Sequence, residues 1–250
     1  MNQLAVPLKT RLDMLVVDRG LSPSRERARA LILAGQITVD GQVISKAGAP
    51  VAVDARIELV APDHPYVGRG GVKLAHALET FAIDVQGRCA LDIGASTGGF
   101  TDVLLQRGAT SVVALDVGHG QLDWRLRNDS RVLVRERVNA RTLTSDDVPH
   151  EVDLVTIDVA FISLRHIFPS LPPFLARGAD IVALVKPQFE AGRAQVGKGG
   201  LVTDPEVHDA VVARTAEAAS AAGLTRAGMT PSPITGAKGN REFFLYLRYD

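Results

Sequence analysis

The chain has 250 residues, 46% of them hydrophobic, and its 28 basic residues balance its 28 acidic ones. Such a chain can bury one large or two unequal cores, and with no net charge any polyanion must be held by a local patch. No run approaches the ~18 apolar residues of a membrane span, and residues 1–11 lack the basic and apolar regions of a secretory signal, so a cytoplasmic protein is expected. The single cysteine, Cys89, excludes an intramolecular disulfide framework and a multi-cysteine zinc site. It lies in an apolar run and reads as a small core residue, and no metal is expected.

Leu12, Leu15, Val16 and Arg19 suit a short helix closed by Gly20. Ser22-Pro23-Ser24 then caps a second helix whose apolar positions, Ala28, Leu31 and Ile32, recur at helical spacing until Gly35. Ile37 to Val39 and Val43-Ile44 flank the hairpin signal Asp40-Gly41, and Arg56 to Val60 reads as a further strand. Arg11-Leu12-Asp13, Gly20-Leu21, Ser24-Arg25, Leu31-Ile32 and Val39-Asp40-Gly41 together resemble the small RNA-binding domain shared by ribosomal protein S four and many pseudouridine synthases. In that resemblance Arg11, Arg25, Arg27 and Arg29 would touch phosphate, aided by the dipole at the second helix's amino end. An arginine-rich solvated face is the alternative.

This amino-terminal α+β domain is placed at residues 1–62, and a Pro- and Gly-rich linker at 63–71. Residues 72–250 form the second domain. It opens with helical periodicity over 72–81, which puts Lys73 in the first turn, where the helix dipole disfavours a cation. Strands are predicted at 89–94, 111–117, 131–137, 153–159, 179–186, 224–230 and 242–249, with a long helix over 204–222. The alternation is that of a doubly wound, Rossmann-like α/β sheet, in which ligands gather at the carboxyl ends of the parallel strands.

At the end of the first of these strands stands Asp92-Ile93-Gly94-Ala95-Ser96-Thr97-Gly98-Gly99-Phe100-Thr101-Asp102. It has the glycines of a close backbone approach to a ligand, without the Lys-Ser/Thr of a P-loop or the spacing of a dinucleotide site. Asp116 ends the next strand, where an acid can grip a ribose diol. Asn139 follows the third strand and suits either the adenosine side of a ligand or a loop cap. Asp158 and Lys186 end two further strands and point into one crevice. Gln188 to Asp204 is glycine-rich and carries Arg193 and Lys198, which suggests a mobile flap with phosphate contacts or a plain surface loop; its Phe189 would stack on a base or close the core.

The Gly-rich turn resembles that of the FtsJ-like ribose methylases. With Arg69-Gly70-Gly71-Val72-Lys73-Leu74, Asp158-Val159-Ala160-Phe161, Lys186-Pro187-Gln188-Phe189 and Gly239-Asn240-Arg241-Glu242, the whole chain resembles the TlyA family of ribosomal RNA 2′-O-methyltransferases, also labelled haemolysins. One departure is Ala160, where the family pattern has serine. The resemblance implies an S-adenosylmethionine-dependent methyltransferase sheet acting on cytidine in ribosomal RNA or ribosomal subunits, with no membrane and no protein partner. Its donor-binding residues would be Asp92, Gly94, Ala95, Ser96, Gly98, Gly99, Phe100, Thr101, Asp116, Asn139 and Asp158, and its RNA contacts would add Arg69, Arg193 and Lys198.

Lys73, Asp158, Lys186 and Glu242 match the family's catalytic set, with Lys186 as base. In such sheets the last strand runs antiparallel, which brings Glu242 to the rim where Asp158 and Lys186 lie. Two acids and two bases form a neutral set that a purely structural ion network would share. Two other functions remain: a non-catalytic RNA-binding ribosome-assembly factor, and a membrane-active haemolysin, for which the chain offers no insertion element.

Overall fold

A computed structural model of the chain describes residues 8–22, 24–60, 64–236 and 239–250. Pro23 of the capping stretch, linker residues 61–63 and the start of the chain, residues 1–7, lie outside these. The amino-terminal domain comprises β1 (Lys9–Arg11), α1 (Leu12–Asp18), α2 (Arg25–Leu33), β2 (Ile37–Val39), β3 (Gln42–Val43), β4 (Pro50–Ala52) and β5 (Ile57–Leu59). Ser24 caps α2 as expected, its side chain accepting from Arg27 N–H. Leu12, Val16, Ile32 and Ile37 are wholly buried in a small core of their own. No local pattern announces β1 and β4, which pair antiparallel over only three residues, one of them Pro50.

The predicted linker is not a free tether. Val67 is buried and its N–H donates to Asp102 Oδ2 at 2.8 Å, while Gln106 holds the Pro65 carbonyl. Helix α3 (Gly70–Thr80) begins inside the stretch assigned to the linker. Its first residues must be small: a Cβ on Gly71 would lie 2.3 Å from the Tyr66 side chain.

The second domain continues through β6 (Cys89–Ile93), α4 (Gly99–Gln106), β7 (Ser111–Asp116), α5 (Trp124–Arg127), β8 (Val132–Glu136), β9 (Val152–Ile157), β10 (Leu175–Val185), α6 (Pro187–Glu190), α7 (Pro205–Ala221), β11 (Thr225–Pro231) and β12 (Phe243–Tyr249). All seven predicted strands and the long helix are present. Strand β10 starts four residues before the expected position, with a register break between Leu175 and Asp180. The sheet order is β11-β12-β10-β9-β6-β7-β8.

The pairings from β10 to β8 are parallel, and β12 is antiparallel to both neighbours. Strands covered on both faces read as continuous apolar runs because helices shield each side. Leu74 and Leu78 of α3 and Val103 and Leu104 of α4 cover one face. Val211 and Val212 of α7, with Phe168 and Leu171, cover the other. The order reverses between β6 and β9, and crevices for ligands open at such a switch point.

Candidate active site

The turn after β6 is built by its glycines. Gly94 has φ +85°, and a Cβ there would sit 2.3 Å from the Asp158 carbonyl, so only glycine lets the turn lie against the end of β9. Gly94 and Ala95 donate to the Leu115 carbonyl, and Ser96 N–H donates to Asp116 Oδ2 at 2.8 Å. Asp116 Oδ1 accepts from Gly118 N–H at 2.6 Å, so backbone donors fix this carboxylate at the tip of β7.

Two cavities meet over the turn. The larger, about 680 Å³, is lined by Leu115, Asp116, Val117, Val138, Asn139, Phe161, Ile162 and Lys186, among others. The smaller, about 270 Å³, is lined by Arg69, Gly70, Lys73, Gly99, Phe100, Thr235 and others. Leu33, Gly94, Ser96 and Asp158 face both.

The four charged residues expected to be catalytic form two ion pairs. Lys186 Nζ lies 2.5 Å from Asp158 Oδ1, both side chains partly exposed at the larger cavity. Lys73 Nζ donates to Glu242 Oε2 at 2.6 Å. The topology explains the meeting: Phe243 pairs with Val185, so the residue before β12 and the residue after β10 end on one rim. Glu242 is 3% exposed and lines neither cavity, and its carboxylate meets the site only through Lys73. Gly236 makes room for it, since a Cβ there would lie 2.0 Å from Glu242 Oε1.

Asp92 and Thr101, expected at the donor, lie beneath the turn. Both are wholly buried and line neither cavity. Asp92 accepts from the Thr101 hydroxyl at 2.6 Å and the Thr156 hydroxyl at 2.9 Å, so it ties β6 to α4 and β9 beneath the turn. Burial, with Asp158 adding its charge, pushes the Asp92 carboxyl up to about 7. The fold therefore favours protonated Asp92, whereas an unfolded chain ionises it near pH 4. Its contribution to stability is fully present below about pH 4 and is lost as pH rises through about 7, a loss of about 4 kcal/mol at 1.36 kcal/mol per unit. Asp92→Asn should remove that slope in urea unfolding measured from pH 4 to 8; an unchanged slope would assign the titration elsewhere.

Asn139 lines the larger cavity and also caps its own loop, its Oδ1 accepting from Arg141 N–H at 3.1 Å. The arginines of the amino-terminal domain divide. Arg11 and Arg25 clasp Asp13, a buried carboxylate held below its usual range chiefly by the Arg11 hydrogen bonds. Arg27 does not sit on an open face: Nη1 reaches Asp123 Oδ2 of the second domain at 3.0 Å, because α2 packs against that domain. Arg29, Arg193 and Lys198 are exposed, and Arg69 lines the smaller cavity.

The glycine-rich segment is anchored. Asn240 accepts from Val202 N–H and donates to the Gly200 carbonyl, and Glu190 holds Ser163 and Leu164. Phe189 packs against Phe161, ring centroids 5.1 Å apart. Sequence reasoning missed Phe161 as a site residue. It is 91% exposed at φ +66° on the larger cavity's edge, and nothing in its neighbours' types marks it. Leu33, Thr235 and Gly236 were also missed, since each reaches the site from a remote segment.

The pieces suit a bound nucleoside-like donor: a fixed carboxylate for a diol, apolar walls at Val117, Val138 and Ile162, and an amine beside the shared wall. The FtsJ-like methyltransferase model matches residues 66–249, and the S4 domain model residues 10–57. The 16S/23S rRNA (cytidine-2′-O)-methyltransferase TlyA of Mycobacterium tuberculosis is 49% identical, covering 96% of this chain and 90% of that protein. A solved hemolysin-named protein of Streptococcus thermophilus is 41% identical with a TM-score of 0.75, covering 98% of this chain and 90% of that one. The fold alone is shared with an S-adenosylmethionine dependent methyltransferase from Mesorhizobium loti, 16% identical with a TM-score of 0.52 over 69% of this chain and 96% of that one. The chain therefore belongs to the TlyA family of FtsJ-like methyltransferases, with an S4 domain ahead of the methyltransferase fold.

Proposed function

We propose that this protein uses S-adenosylmethionine to methylate the ribose 2′-oxygen of a cytidine in ribosomal RNA. The reading rests on the Lys186–Asp158 pair, set where the walls of the two cavities coincide beside the Gly-rich turn. Bound S-adenosylmethionine supplies an electrophilic methyl group on a sulfonium. Asp116 would hold the donor's ribose hydroxyls, with Val117, Val138 and Ile162 against the adenine and the turn's backbone beside the remainder.

Lys186, when neutral, would take the proton that the attacking 2′-hydroxyl loses, so the amine becomes an ammonium as the O–C bond to the methyl forms and the methyl's bond to the sulfonium sulfur breaks, its electron pair staying on what is then a neutral thioether. Asp158 fixes where that amine stands. Lys73 presents a cation to the smaller cavity, and Glu242 holds it in place. Phe161 offers an uncovered ring at the rim on which an unstacked base can lie. Recognition of RNA falls to the S4 domain, with Arg29 exposed on α2, and a ribosomal substrate fits a cytoplasmic protein.

The test is to map 2′-O-methylcytidine in 23S and 16S rRNA after incubating each subunit with the purified protein and methyl-labelled donor. Label at cytidine in one or both is expected. Binding to subunits without incorporation would favour an assembly factor. Lysis of erythrocytes by donor-free protein would favour a membrane-active one, although no helix among the described residues is long and apolar enough to cross a membrane.

A further inference from the structure

The S4 domain does not merely precede the catalytic domain; one of its helices walls the donor cavities. Leu33, the last residue of α2, faces both cavities together with Gly94, Ser96 and Asp158. It remains 42% exposed, which is unusual for a leucine at a domain seam and leaves its side chain available to a ligand. One turn and a half earlier, Arg27 reaches Asp123 at 3.0 Å, with only 33% and 11% of the two side chains exposed.

Asp123 is itself part of the donor turn's support. Its N–H donates to the Thr97 carbonyl, its Oδ1 caps α5 through Arg125 N–H, and neighbouring Gln121 accepts from the Ser96 hydroxyl at 3.3 Å. Ala30, Leu31, Ala34, Val67 and Thr97 close the seam around this pair, leaving only about 10 Å³ free. Arg69 is pressed against the end of the same helix, where a Cβ on Gly35 would lie 3.2 Å from its Cδ.

We propose that α2 of the S4 domain completes the donor site, with Leu33 covering the bound donor and the Arg27–Asp123 pair tying the helix over it. The proposal builds on the reading of these cavities as the S-adenosylmethionine site. An apolar cap at the junction excludes water from the reacting centre, and a tie across the seam sets the fraction of molecules in which the cap is closed. A donor held under that cap leaves only when α2 lifts, so breaking the tie accelerates its release.

The experiment measures S-adenosylhomocysteine affinity and dissociation rate on the full chain, by calorimetry and by the fluorescence of Trp124, the sole tryptophan, which follows Asp123 and is 62% exposed. The variants are Arg27→Ala, Asp123→Asn, which keeps an oxygen to cap α5, and Leu33→Ala, whose half-exposed position leaves the S4 core intact. Each should bind about three- to ten-fold more weakly, chiefly through faster release. The double variant Arg27→Ala/Asp123→Asn should be no weaker than the worse single one, because both remove one tie. Unchanged affinity and release in all three variants would overturn the proposal, as would lowered melting temperatures with affinity intact. A wild-type chain that binds no S-adenosylhomocysteine would instead overturn the reading of the cavities.

Discussion

Replacing Lys186 with alanine should lower methyl transfer by about 10³-fold or more while leaving donor affinity within a few-fold of wild type. The amine stands 2.5 Å from Asp158 at the edge of the larger cavity, and of the two amines among the four charged residues it is the one that lines that cavity. A purely structural ion pair predicts something different. Lys186→Arg keeps a cation beside Asp158 but offers no proton acceptor, because a guanidinium stays charged at any working pH. The arginine variant should therefore remain as inactive as the alanine variant, with normal melting. Recovery of activity in Lys186→Arg, measured as label transferred to rRNA in single turnover, would reduce the lysine to an electrostatic support.

Glu242→Ala should cost about 3 to 5 kcal/mol of stability and abolish transfer, the largest loss of stability expected from a single site residue. Lys73 is only 12% exposed on its side chain, and removing the 2%-exposed carboxylate leaves a cation with little water to replace its partner. Energy and chemistry can be separated by deleting both charges. Lys73→Met combined with Glu242→Leu replaces a buried pair by apolar side chains, and such replacements are often neutral or stabilising. The double variant should regain most of the melting temperature and stay inactive, since the smaller cavity has then lost the Lys73 cation. Regained activity would assign the pair to folding alone.

These two variants probe different layers of the same rim, and the difference was not visible in the chain. Lys73, Asp158, Lys186 and Glu242 were all identifiable as a set, because each stands at a strand end or in a first helical turn where an unpaired charge is out of place. Their arrangement as two pairs depends on side-chain reach from α3, β9, β10 and β12, which strand order alone does not set. The Gly-rich turn was equally legible, but what its first acid touches was not. Asp92 lies one pleat inside the strand end, and its side chain meets Thr101 and Thr156. Arg27, expected at phosphate, pairs with Asp123 across the seam between the domains, a contact that no local pattern announces.

The sequence by itself determined the alternation of strands and helices and the glycine that the turn after β6 requires. These follow from local rules, the period of apolar residues and the φ values that only glycine adopts easily, acting over a dozen residues at most. The tertiary structure alone decided which charge pairs with which, that Phe161 stands exposed at the rim, and that Leu33 of the small domain walls both cavities. Those outcomes depend on segments remote in the chain packing against one another, and no local pattern carries the shape of a surface that exists only once both sides are folded.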